Sequence, residues 1–189
     1  KGYTKMVMAR FKELGYRPQL FLVNAADCGV PQKRERVFFC AVRNDIDVPP
    51  LKLAPTHRWI SAGEATSDVQ VLTAEEVIDT KLTPQYASYW PHCVNGVTPQ
   101  DVRKRTTGKD GCFTACRLDV AKTSPTLLSQ EQHFFHWGEC RKMTYREWKR
   151  LGSFPDDYQA KTDKIGKYMI GMSVPPRMTQ AVATAVCSQ

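Results

Sequence analysis

The sequence predicts an α/β protein, in which the edge of a sheet lobe is joined to a small, irregular, mixed α+β lobe. Two observations carry that prediction. Short apolar runs at 19–23 and 37–42, rich in Phe, Leu and Val and without alternation, have the form of strands buried on both faces. Helical patterns flank this pair at the chain start and return after residue 144, while the stretch between 50 and 139 keeps no sustained period.

The elements follow in order. Residues 3–14 form an amphipathic pattern with Val7, Phe11 and Leu14 on one stripe, and Gly15 can supply a left-handed C-terminal cap. The two strands come next, joined by the loop 24–36. Pro49, Pro50 and Pro55 then break the chain. Short helices are expected at 61–65 and 73–78, because Ser61-x-x-Glu64 and Thr73-x-x-Glu76 have the capping-box form. The basic, glycine-containing stretch 103–111 is expected to be an exposed loop. Thr144-x-x-Glu147 is a further capping box, followed by the apolar pair Trp148 and Leu151, with Pro155 ending the helix. A last helix is expected from Pro175 to Ser188, with two prolines suited to a first turn and Val182, Ala185 and Val186 facing a sheet.

Composition limits the function classes. A chain of 189 residues, 42% hydrophobic and 24% charged, can hold a globular core rather than a disordered tail. Its net charge of +8 favours an anionic partner, with nucleic acid foremost, since phosphate contacts by Lys and Arg release counterions. An unspecialised basic surface is the competing explanation of charge alone. No apolar run approaches the ~20 residues of a membrane span, and no signal peptide opens the chain. Seven scattered cysteines fit reduced, intracellular thiols better than a disulfide framework. Lys rather than Met at position 1 suggests a segment of a longer polypeptide or a processed subunit.

Three motifs carry chemistry. The first is Asn24-x-x-Asp27-x-Gly29-Val30-Pro31-Gln32-x-Arg34-x-Arg36-Val37. Strand geometry extended back from residue 37 would project Gln32, Arg34 and Arg36 to one side. Two guanidiniums and an amide on one face make a receptor for phosphate and for a base carbonyl. A lone Arg-x-Arg is more commonly a solvated strand end, so the argument rests on the longer string. The second is Arg141-Lys142-Met143-Thr144-Tyr145-Arg146-Glu147 with Arg150, Leu151, Phe154, Pro155 and Asp156, a capped basic helix whose individual charges read as solvated. The third is Ile170-Gly171-Met172-Ser173-Val174-Pro175-Pro176, where Gly171 permits a close approach and a helix start offers free N–H groups.

In this order the three segments resemble the eighth, ninth and tenth conserved blocks of the DNA (cytosine-5)-methyltransferases. The blocks that precede them in that family, a Gly-rich cofactor loop, a Pro-Cys nucleophile and a Glu-Asn-Val carboxylate, have no counterpart here. The chain contains no Pro-Cys and no Glu-Asn. The resemblance therefore implies the C-terminal part of a Rossmann-like, S-adenosylmethionine-dependent methyltransferase lobe plus a target-recognition lobe. Residues 1–49 would end the catalytic lobe, 50–140 form the recognition region, 141–165 organise it, and 166–189 return to the catalytic lobe. Arg36 would hold a flipped cytosine, with Gln32 and Arg34 holding the loop and the DNA backbone. Gly171, Met172, Ser173 and Val174 would line the S-adenosylmethionine pocket, although the family often has Asn where Met172 stands. Arg117, Lys122, Arg103, Lys104 and the Thr126-Leu127 pair would lie in the recognition region, as phosphate or base contacts. The implied partners are duplex DNA and an N-terminal half or subunit carrying the catalytic cysteine. Whether the chain is a natural split subunit or a truncated piece stays open, as does pairing with a restriction enzyme.

Two other readings were weighed. A non-catalytic DNA-binding module derived from such an enzyme is favoured by Met172 and opposed by the intact Gln32/Arg34/Arg36 set. An RNA-binding domain lacks the usual aromatic stacking motif. A zinc site from Cys112, Cys116, His133, His136 and Cys140 is disfavoured by spacing, and Cys93 beside His92 has no catalytic support.

Overall fold

The computed structural model describes residues 2–94, 96–110, 115–129 and 134–188. Helix α1 (Gly2–Glu13) leads through Gly15, at φ +83°, into β1 (Tyr16–Asn24), which pairs antiparallel with β2 (Glu35–Arg43). Between the strands, a 3-10 turn at Ala25–Cys28 is capped by Asn24, whose Oδ1 accepts the Ala26 N–H, and by Gly29 at φ +75°. Both strands are longer than the apolar runs. Their burial also departs from expectation. Val23 is buried, but Leu20, Leu22, Val37 and Phe39 are exposed. Among the described residues this sheet has two strands, so nothing within them covers its second face.

The irregular middle is a set of short, well-capped helices. They are α2 (Ala62–Ala65), α3 (Ala74–Asp79), α4 (Pro84–Tyr89) and α5 (Pro99–Thr107), with a 3-10 turn at Trp90–His92. The Thr73/Glu76 capping box forms in full. At Ser61 only half of the box forms, because Glu64 turns to Arg58 instead. The expected loop at 103–111 is largely helix. Thr98 and Asp101 make a reciprocal cap, Pro99 opens the first turn, and Gly108 ends the helix at φ +68°. Gly111 lies outside the described residues.

Strand β3 (Cys116–Arg117) runs parallel to β4 (Phe134–Phe135). Helix α6 (Tyr145–Gly152) carries the Thr144/Glu147 capping box and ends at Ser153 in the left-handed region, before Pro155 is reached. Helix α7 (Asp163–Met172), not foreseen in the sequence, crosses the expected boundary at 165/166. Helix α8 (Pro176–Cys187) buries Met178 and Val182, whereas Val186 is exposed, so Met178 takes the inward place expected for Val186.

The main core gathers Leu118, Leu127, Phe134, Met143, Trp148, Leu151 and Ile170. Each such side chain contributes about 1.5–3 kcal/mol on burial. A second cluster joins Val23, Ala25 and Val30 to Met178. The last helix thereby packs under the first loop, and chain ends far apart in sequence close on one site.

Candidate nucleic-acid interface

The loop between the 3-10 turn and β2 is stitched to a distant segment largely through main-chain atoms. Lys33 N donates to Ser124 O at 2.8 Å, and Ser124 N donates to Pro31 O at 3.2 Å. Thr126 Oγ1 donates to Lys33 O at 2.6 Å. Gln32 is 1% exposed, and its Oε1 accepts the Leu127 N–H at 2.9 Å. Its amide nitrogen reaches Leu151 O at 3.5 Å.

Arg34 is buried too. Its Nη1 donates to Leu127 O at 2.9 Å and its Nη2 to Gly171 O at 2.8 Å. Burial first, and the Arg36 charge second, lower its pKa to about 10, so it stays cationic at neutral pH. The structure thus places Gln32 and Arg34 inside the molecule. Arg34, expected to meet DNA, spends its fork on two main-chain carbonyls.

Arg36 differs. It is half-buried rather than buried, and its Nη1 donates to Glu35 O at 2.7 Å. Of the three motif side chains, Arg36 alone reaches the surface. Lys33 is exposed as well, and its Nζ lies 5.1 Å from the centre of the Trp59 ring. Trp59 is in turn held by Asp27, with Nε1 donating to Oδ1 at 2.7 Å. The Lys33–Trp59 pairing has no sequence signal, since 26 positions and a proline-broken segment separate the two.

The tenth-block residues sit at the α7–α8 junction. A Cβ on Gly171 would stand 2.2 Å from Leu128 O, so only glycine permits this approach. Met172 and Val174 are exposed, while the Ser173 hydroxyl donates back to Met169 O and Ile170 O. These residues offer an apolar wall with no free hydroxyl. Arg177 closes the junction, with Nη1 donating to Gly29 O at 3.0 Å.

The recognition-region candidates divide. Leu127 is fully buried in the core and gives the site its backbone rather than its side chain. Arg117 lies over the Trp90 ring, 3.8 Å from its centre, and Nε donates to Trp137 O at 2.8 Å. Lys122 is exposed and paired with Asp119, and Lys104 with Asp110. Lys33, Arg117, Lys122 and Trp137 line one open groove. Cys112 and His133 of the weighed zinc set lie outside the described residues.

The basic helix α6 is less solvated than its charges suggested. Arg141 grips Glu147 with both terminal nitrogens at 2.9 Å, and both residues are buried. Arg146 grips Glu76 of α3 through two bonds of 2.7 Å. Lys149 is buried and donates to Asp156 O.

A family model for C-5 cytosine-specific DNA methylases matches residues 1–188. The chain belongs to that family. Among curated methylases it is 29% identical to the type II methyltransferase M1.HphI of Haemophilus parahaemolyticus, over 95% of this chain and 50% of that protein. It is 32% identical to M.AplI of Arthrospira platensis, over 98% of this chain and 52% of that protein. The chain therefore spans about half the length of the curated relatives it matches. Its fold also matches a prophage-encoded DNA modification methyltransferase candidate from E. coli, with a TM-score of 0.67 at 19% identity, over 100% of this chain and 65% of the other. No described helix is long and apolar enough to cross a membrane.

Proposed function

We propose that this chain is the C-terminal portion or subunit of a DNA (cytosine-5)-methyltransferase, binding duplex DNA and positioning a flipped cytosine for methylation at ring carbon five. The observation that carries the reading is the division of labour in the Gln32/Arg34/Arg36 loop. Two members lock the loop to the Ser124–Leu127 segment and to Gly171, and the third is left with its guanidinium at the surface.

A base inside a duplex cannot expose its ring carbons to attack, so the cytosine is rotated out of the stack. Arg36 then donates to the carbonyl oxygen of the extruded base and holds it in register. Gln32 and Arg34 keep the backbone beneath Arg36 from yielding, which is the condition for precise positioning. Lys33, Lys122 and Arg117 supply positive charge along the groove for the phosphates and base edges. S-adenosylmethionine, when bound, supplies the methyl group. The fit of this chain to it is that of one wall, with Met172 and Val174 giving apolar contact. The thiolate that attacks ring carbon six, and the acid that assists at ring nitrogen three, would come from an N-terminal half.

The test is transfer of labelled methyl from S-adenosylmethionine to duplex DNA, by the chain alone and by the chain co-expressed with the coding segment immediately upstream. Transfer only in the combined sample supports the proposal. DNA binding without transfer in either sample favours a non-catalytic module, and transfer by the chain alone refutes the account of a separate nucleophile.

A further inference from the structure

His136 is buried beside Glu147 of α6, one residue from the groove-lining Trp137. Its Nδ1 accepts two main-chain N–H bonds, from Gly138 at 3.1 Å and Glu139 at 2.9 Å. Because an amide N–H can only donate, Nδ1 is unprotonated and the single ring proton sits on Nε2. Nε2 points toward Glu147 Oε1 at 3.7 Å. The ring stacks on Trp137, with centres 4.2 Å apart and planes tilted by 29°. His136 O accepts the Trp90 indole N–H at 3.0 Å, and Trp137 O accepts Arg117 Nε at 2.8 Å. Arg117 lies over the same Trp90 ring. One imidazole therefore sets the turn 136–139, and the turn sets both the carbonyl that holds Arg117 and the ring on which it rests.

We propose that neutral His136 is a positioning residue for the DNA-facing groove, and that its protonation releases the turn and with it Arg117. The inference rests on the DNA-binding reading above. A second ring proton has to go to Nδ1, where two amide hydrogens already point, so charging the ring means giving up both bonds.

The groups facing the ring are mixed. Glu147 from α6 and Glu139 from the turn favour the cation, and Arg141 from the bridge that follows the turn and Arg117 from β3 oppose it. Glu147 is already engaged by both terminal nitrogens of Arg141. Burial, the largest influence, holds the His136 pKa below that of a free imidazole. With the folded value depressed, the stabilising contribution of the neutral ring is complete above the ordinary imidazole range. It is lost as pH falls through the depressed value.

The sign separates this device from plain electrostatics. Protonating any of the four histidines adds positive charge, which by itself would tighten the grip on phosphate as pH falls.

The experiment is duplex binding by the full chain between about pH 7.5 and about pH 4.5, from above the ordinary imidazole range to well below it, because the folded value is depressed. Wild type, His136→Asn and His136→Phe are compared. Asn can offer an oxygen to the same two amides but does not titrate. Wild-type affinity should fall about tenfold toward the acid end, the scale of one well-made base contact. His136→Asn should bind like wild type at neutral pH with no acid loss, and His136→Phe should be weak throughout. A wild-type profile that tightens or stays flat, or one matched by His136→Asn, overturns the proposal. Nitrogen chemical shifts of the His136 ring in the same samples give a readout independent of DNA. A proton on Nδ1 at neutral pH overturns the local argument. If neutral-pH shifts show the Nε2–H form while no variant binds DNA at any pH, the DNA-binding reading fails instead, and the groove assignment with it.

Discussion

Nη1 of Arg34 donates to the carbonyl oxygen of Leu127 at 2.9 Å, across 93 positions of sequence. The other terminal nitrogen of the same guanidinium reaches Gly171 O. One buried side chain thus joins the first loop, the Ser124–Leu127 segment and the α7–α8 junction. Hydrogen bonds to a charged group contribute about 1.5–3 kcal/mol each. Arg34→Ala should therefore cost about 3 kcal/mol or more, read as a lower urea midpoint. Arg34→Lys should recover only part of it, since an ammonium cannot fork to two carbonyls set by planar geometry. A midpoint unchanged in Arg34→Ala would show that the loop is held by its other bonds, to Ser124, Thr126 and Leu127.

Arg36 predicts the opposite pattern. Its guanidinium donates to the neighbouring Glu35 carbonyl, so Arg36→Ala should move stability by no more than about 0.5 kcal/mol. In the proposed assembly with an N-terminal half, Arg36→Ala should abolish most transfer of labelled methyl to duplex DNA. Equal losses of stability in Arg34→Ala and Arg36→Ala would contradict the division of labour.

Gly171→Ala places a methyl 2.2 Å from Leu128 O, a backbone atom that cannot rotate away. The expected cost is about 3 kcal/mol, at the upper end of overpacking. Thermal melting would measure it, with Gly2→Ala, which meets open space, as the control.

Glu76 and Arg146 bind α3 to α6, and hydrogen bonds from Arg146 are the chief cause holding the Glu76 carboxyl below its usual range. A depressed folded value means stability that is present above the ordinary carboxylate pKa and lost as pH falls through the folded one. Glu76→Gln should cost about 1 kcal/mol at neutral pH, as befits a partly exposed pair, and progressively less below about pH 4. Urea titrations of both proteins at several pH values give the curve. A constant difference across that range would assign the effect to packing rather than charge.

The outer face of the sheet should drive association. Leu22 and Val37 are cross-strand partners, as are Leu20 and Phe39, and all four are exposed. The chain alone should sediment as self-associated species, and Leu22→Lys with Val37→Lys should shift it toward monomer. A wild-type chain that sediments as a monomer would remove this expectation.

Local chemistry was legible in the sequence because its determinants lie within four residues of one another. Thr73 with Glu76, Thr144 with Glu147, and Gly15 ending α1 are of this kind. The motif string from Asn24 to Val37 is longer but contiguous, and its residue types are specific enough to mark the family. The miss at α5 was also local. The Thr98/Asp101 cap uses Asp where the capping-box pattern has Glu or Gln, and the basic run that follows carries no apolar stripe to mark a helix.

What only the tertiary structure decided is direction and partnership. Alternation places Gln32, Arg34 and Arg36 on one side, but not whether that side faces core or solvent. The answer came from Leu127, Leu151 and Gly171, each far away in sequence. Arg117 on Trp90, Lys33 by Trp59 and His136 against Glu147 are likewise unreadable in one dimension. A cation, a ring or a carboxylate has many equivalent partners along a chain. Closure of the core around Trp148 and Met178 selects among them, because burial makes an unpaired polar group costly and packing leaves few partners within reach.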